Sequence, residues 1–192
     1  LFNMTSDSHL FKTKAQLEEK GFELHGNRFV RVAQDADPAE DITSQNHEVY
    51  LPLYEAKMMH HFNHRFGDYA DLPEGSDSTQ LPDVPLVRLQ NPDYEPLPRY
   101  WVEKSLVQKV ADKKEHYWLG FRDITNTTNE RTVLGSLIPL SAVGNNLPIW
   151  LTDRRGVEVG CFIASMCSFA CDFAARFKVG GTHLNFFIAQ QL

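Results

Sequence analysis

His60, His61 and His64 are crowded into one short stretch, with Lys57 before them and Arg65 after. On a helix, His60 and His64 stand one turn apart and could share a metal ion. The His-Glu-x-x-His pattern of zinc hydrolases needs glutamate after its first histidine, and His61 occupies that place. A polar surface able to carry positive charge therefore outranks a metal site, and a metal-dependent hydrolase built on His60 and His64 stands as a distant alternative. Glu55-Ala-Lys57 has the form of the Glu-x-Lys half of a nuclease metal site, but the Pro-Asp pair that should precede it comes later, as Pro82-Asp83. Arg122 and Arg131 flank a loop rich in threonine and asparagine, and have Asp123 and Glu130 beside them. Those charges cancel, so the arginines either pair with the carboxylates or reach phosphates from an exposed loop. The chain has no G-x-S-x-G elbow, no G-x-G-x-x-G turn and no P-loop, which leaves the commonest nucleophilic and nucleotide-binding chemistries without support.

The element that must hold the histidines reads as a helix over 51–69. At helical spacing Tyr54, Met58, Met59, Phe62 and Phe66 fall on one broad face, and Lys57, His60, His61, His64 and Asp68 on the other. Pro52 suits a first helical turn and Gly67 a left-handed cap. Upstream, Thr13 and Gln16 have the form of a capping box and Gly21 supplies a stop, predicting a short helix over 14–20. Residues 22–32 read as a hairpin turning at Gly26-Asn27, and the acidic, polar 33–48 as a surface loop. Residues 71–98 hold six of the ten prolines, a spacing read as forbidding regular helix and leaving a stiff, extended loop or linker within the domain. Order resumes with a strand over 99–102, a helix-like pattern over 106–115, and two strands, 116–124 and 131–139, joined across the polar loop. A short strand over 147–150 and a turn over 153–156 lead to a long final helix over 157–178. In it Phe162, Met166, Phe169, Phe173 and Phe177 form an apolar stripe, assigned to the core. Gly180-Gly181 ends that helix, and residues 183–188 start a last short element.

The chain of 192 residues is 42% hydrophobic and 11% aromatic, enough to fill one core. The elements point to an α+β fold with a twisted mixed or antiparallel sheet and packed helices. A net charge of −6 argues against sequence-blind coating of nucleic acid, although a local basic patch acts through its own field. Cys161, Cys167 and Cys171 are odd in number and lack C-x-x-C spacing, which suggests reduced, buried thiols in a cytoplasmic protein rather than disulfides or zinc. No leading signal segment or bilayer-length apolar run is visible, so no membrane partner is expected. Leu1-Phe2-Asn3 lacks an initiator methionine and reads as the edge of a longer protein. These features favour a binding module over an enzyme.

Four blocks then occur in order: Tyr50-Leu-Pro-Leu-Tyr-Glu-Ala-Lys-Met-Met-His-His-Phe-Asn-His-Arg-Phe66; Arg99-Tyr-Trp-Val102; Gly120-Phe-Arg-Asp-Ile-Thr125 with Asn129-Glu-Arg-Thr132; and Phe173-Ala-Ala-Arg-Phe-Lys-Val-Gly-Gly-Thr-His-Leu-Asn-Phe-Phe187. Together they resemble the region that follows the catalytic domain in adenine-specific DNA methyltransferases of type IIG-like restriction–modification and related phage-defence systems. That region is similar to a target-recognition domain of the TaqI-type specificity class, and the resemblance covers nearly the whole chain. The family's Asn/Asp-Pro-Pro-Tyr tetrad and glycine-rich methyl-donor motif are missing, so the resemblance implies a fragment without catalysis or cofactor of its own. It implies a bacterial or archaeal parent that uses S-adenosylmethionine, with Mg2+ as a second candidate, and that flips its target adenine while this domain selects the flanking sequence. The implied partners are double-stranded DNA and the methyltransferase domain of the same parent chain. Lys57, His60, His61, His64, Arg65, Arg122 and Arg131 become candidates for phosphate and base contacts. The rival class is a protein–protein module that docks parts of a restriction–modification complex.

Overall fold

The Thr13 hydroxyl accepts the Gln16 N–H while the Gln16 side chain returns to the Thr13 N–H, closing the predicted capping box at the head of α1 (Lys14–Glu19). Gly21 (φ 77°) turns the chain into β1 (Glu23–His25), and Gly26 (φ 61°) turns the hairpin into β2 (Arg28–Val32). Both glycines adopt a left-handed conformation that side chains resist. Then follow β3 (His47–Tyr54), α2 (Leu86–Leu89), β4 (Trp101–Glu103), α3 (Lys104–Gln108), β5 (Tyr117–Phe121), β6 (Gly135–Pro139), β7 (Ala142–Val143), β8 (Ile149–Trp150), α4 (Val157–Met166), α5 (Phe169–Lys178) and α6 (Phe186–Ala189). This computed structural model describes residues 2–32, 47–73, 76, 79, 81–111, 117–154 and 156–192. Residues 33–46 of the loop expected over 33–48, the end of the helix-like pattern at 112–115, and His116 lie outside them. Residues 47 and 48 belong to β3 rather than to that loop, and α2 is a short helix inside the proline-rich segment, where none was expected.

Among the described residues the strands form two sheets. The larger is antiparallel in the order β1-β2-β3-β4, with β7 running parallel to the end of β3, and the smaller is antiparallel in the order β6-β5-β8. The main core lies between them: Leu51, Leu53, Tyr54, Met58 and Met59 pack with Trp118, Ile138, Leu147 and Ile149. A second cluster, with Phe121, Val133, Met166, Ala175 and Leu184, joins the smaller sheet to α4, α5 and α6. The α+β class is therefore the one expected from the sequence. So are the first helix, the hairpin, and the pairing of the two strands around the polar loop.

The helix expected over 51–69 does not form. Residues 47–54 are the central strand β3, which pairs with β2 through Tyr50, with β4 from Tyr50 to Pro52, and with β7 at Leu53 and Tyr54. A strand covered on both faces carries apolar residues without alternation, and Leu51, Leu53 and Tyr54 are all buried. Such a run matches a helical stripe as well as it matches a strand. Beyond it the chain turns: Met58 and Met59 close a 3-10 turn at Ala56–Met58, and the Phe66 and Gly67 N–H groups both return to the Met58 carbonyl. Gly67 is no helix cap. A Cβ there would meet the Lys57 carbonyl oxygen at 2.7 Å and Leu81 at 3.0 Å, so close approach explains the glycine.

The final helix is also corrected. It breaks into α4 and α5 with a bend of 53°, and the Ser168 hydroxyl caps α5 by accepting the Cys171 N–H. Val179, not the glycine pair, ends α5. The phenylalanine stripe faces outward: Phe169 is 80% exposed, Phe173 64% and Phe177 76%, and Phe162 is exposed too, while Met166 is buried as expected. Ala175 and Asp172 form the buried side of α5 instead. Of the thiols, Cys167 is buried and Cys171 half-buried, but Cys161 is exposed. Among the described residues no single helix is long and apolar enough to cross a membrane.

Candidate functional site

Two loops meet beside the smaller sheet. The first is a tight turn in which His60 and Asn63 exchange backbone hydrogen bonds at 2.8 and 2.9 Å. The Phe62 N–H at its tip donates to the Gly135 carbonyl, at the start of β6, at 2.9 Å. The second loop continues from β5, where the N–H of Arg122 donates to Leu134 and that of Asp123 to Asn146. It returns through Thr132 and Val133, whose amides both donate to the buried Asp172 carboxylate, at 2.7 and 2.8 Å. Arg176, one helical turn beyond Asp172, completes the clamp. Its guanidinium reaches the carboxylate at 3.0 Å and donates to the carbonyls of Thr127, Asn129 and Glu130. Burial pushes the Asp172 carboxyl up, but the Val133 amide, Arg176 and the Thr132 amide outweigh it and hold the group below its ordinary value.

Between the loops lies a cleft of about 450 Å³ lined by His60, His61, Arg122, Asn129, Glu130, Arg131 and Leu134. The structure thus brings four of the sequence-derived candidates together, although they come from segments more than sixty positions apart. Among the described residues Arg122 and Arg131 form no ion pair with the neighbouring carboxylates, contrary to one of the two readings of that loop. Asp123 faces His183 at 2.9 Å instead, and the Arg131 guanidinium lies 3.9 Å from the centre of the Phe169 ring. Arg122 Nε, Arg131 Nη1 and His61 Nδ1 are shielded from solvent, and no protein partner for them exists among the described residues. Such groups are costly unless something else meets them.

The histidines do not supply the cleft's charge. Burial, then Arg122, lowers the pKa of His60, while burial, then Arg131 and His60, lowers that of His61. Both rings are neutral at neutral pH and can donate at one nitrogen and accept at the other. The His60 ring stacks on Phe66 at 4.6 Å. Positive charge comes from the arginines, which stay protonated even though burial lowers the value for Arg122.

The other three candidates stand elsewhere. Lys57 pairs with Glu55 at 3.3 Å and lies over the Tyr69 ring, with Tyr69 donating to the same carboxylate at 2.8 Å. Arg65 latches the proline-rich segment by donating to the carbonyls of Leu89, Asn91 and Tyr94. His64 is half-buried, and burial with Arg65 lowers its pKa. Because the segment is not helical, the one-turn spacing that paired His60 with His64 as metal ligands no longer applies. Asn129 and Glu130, noted in the sequence as neighbours of the arginines, line the cleft, whereas Asp172 and Arg176, which position it, were not singled out. The one sequence signal for that pair is the four-residue spacing of Asp172 and Arg176 on a helix. No protein-family model matches the chain, and neither does any curated protein or solved structure.

Proposed function

We propose that this chain is a double-stranded DNA recognition module, the target-recognition part of an adenine-specific DNA methyltransferase or type IIG restriction–modification enzyme. The observation that carries the reading is the convergence of Arg122 and Arg131 on one cleft, each with a sheltered nitrogen that no acceptor among the described residues meets. Two guanidiniums held beside two neutral imidazoles and Asn129 combine phosphate-gripping charge with donors and acceptors suited to base edges. In this reading the chain performs no chemistry itself. Methyl transfer, with S-adenosylmethionine, belongs to the methyltransferase domain of the same cytoplasmic parent.

Fluorescence anisotropy with labelled duplexes across a salt series tests the proposal. Binding is expected to weaken steeply from about 50 to 200 mM salt. Arg122→Ala with Arg131→Ala should weaken it by about ten- to a hundredfold and flatten the salt slope by about two, with folding checked by circular dichroism. Equal affinity for the parent and doubly substituted chains would sink the reading. A second reading, docking to another protein of a restriction–modification complex, is favoured by the exposed Phe169, Phe173, Phe177 and Phe187.

A further inference from the structure

Phe62 is the one described non-glycine residue with a left-handed backbone, at φ 56°. A bulky side chain is unfavourable there, and glycine or asparagine would make the same turn with less strain. Burial does not repay that strain, because the residue is 56% exposed. Its neighbours nonetheless hold it firmly. The reciprocal hydrogen bonds between His60 and Asn63 close the turn around it, and its own N–H is fixed to Gly135. The ring meets His61 edge-on at 4.6 Å, and His61 is a wall of the cleft that holds Arg122 and Arg131. A strained, rigidly presented aromatic ring thus stands in solvent at the rim of a cationic cleft.

Resting on the DNA-binding reading, we infer that Phe62 is a stacking finger: its ring wedges at a base step of the duplex and packs against the nucleobase face it partly unstacks, while the cleft arginines hold the adjoining backbone. Every base offers an aromatic face, so the contact tolerates any sequence and adds affinity without selecting a target. The strain is then the cost of holding the ring ready before DNA arrives.

Phe62→Trp places a fluorophore at the turn. Trp101 and Trp118 are buried, and Trp150 is half-buried against Phe121, Phe162 and Phe186, so they supply a constant background. Titration with an unlabelled duplex at low salt should quench the added emission and shield it from acrylamide. In parallel anisotropy measurements Phe62→Tyr should bind like the parent chain, and Phe62→Ser about tenfold more weakly. Emission that does not respond while anisotropy reports binding would overturn the stacking role and leave the DNA reading intact, as would Phe62→Ser binding as tightly as the parent. Absence of binding by the parent chain at low salt would overturn both.

Discussion

The cleft between the two loops and the outer face of α5 are neighbours that share Glu130 and the Arg131–Phe169 contact, yet they invert ordinary expectation. In the cleft, arginines and histidines are partly withdrawn from water, and some of their nitrogens are left unmatched among the described residues. On α5, three phenylalanines stand in solvent while an aspartate is buried. The difference lies in what each side chain can offer the loop over 122–134. That loop carries backbone N–H and carbonyl groups that need partners, and a carboxylate with a guanidinium one turn away can meet several at once. Phenylalanine can meet none. Polar demand from the loop therefore turns the Asp172 side of α5 inward, and the phenylalanine stripe is carried outward.

The largest expected effect comes from breaking that clamp. Asp172→Ala leaves two buried amides and Arg176 without their shared acceptor and should cost about 3 kcal/mol in urea denaturation. It should also weaken DNA binding, because Asn129 and Arg131 lose their mount. A smaller effect should follow from acidification. Burial, with the nearby arginines, holds His60, His61 and His64 below the ordinary imidazole value of 6.5. Their contribution to stability is present in full above pH 6.5 and is lost as pH falls through their lowered folded values, since the unfolded chain binds protons first. DNA affinity should move oppositely over the same window, because phosphate favours the protonated rings. Denaturation and anisotropy measured from pH 7.5 to 5 on the same preparation check both signs, and parallel trends would break the comparison. The smallest effect is predicted for the phenylalanine face: Phe173→Ser with Phe177→Ser should change stability by less than about 0.5 kcal/mol. Met166→Ala, three residues before Phe169 but buried, should cost about 2 kcal/mol or more. A large loss from the double serine variant would mean that the stripe is core after all.

Where local chemistry decides, the elements could be read directly. Thr13 with Gln16 announces a capping box, Gly26-Asn27 a hairpin, and the asparagine–threonine loop the boundary between two strands, because each depends on residues close in sequence. The segment over 51–69 shows the opposite case. Nothing within it reveals that β2 pairs with residues 47–50 and β4 with residues 50–52, and an apolar run buried on both faces has no periodicity of its own. The proline-rich segment likewise has a partner that only the fold supplies, in Arg65 and in the Arg88 pairs with Asp68 and Asp71.

The same division runs through the site. By itself the sequence determined which residues could bind an anion, since arginine and histidine are the groups with suitable donors wherever they fall. Tertiary structure decided which of them stand together. His60 and His61 join Arg122 and Arg131 because a tight turn docks on Gly135 and because Asp172 and Arg176 pin the opposite loop. Lys57 and Arg65 are instead engaged by Glu55 and by backbone carbonyls. Residue type sets the chemistry a side chain can perform, whereas the competition among buried polar groups for partners sets which side chains are left to perform it.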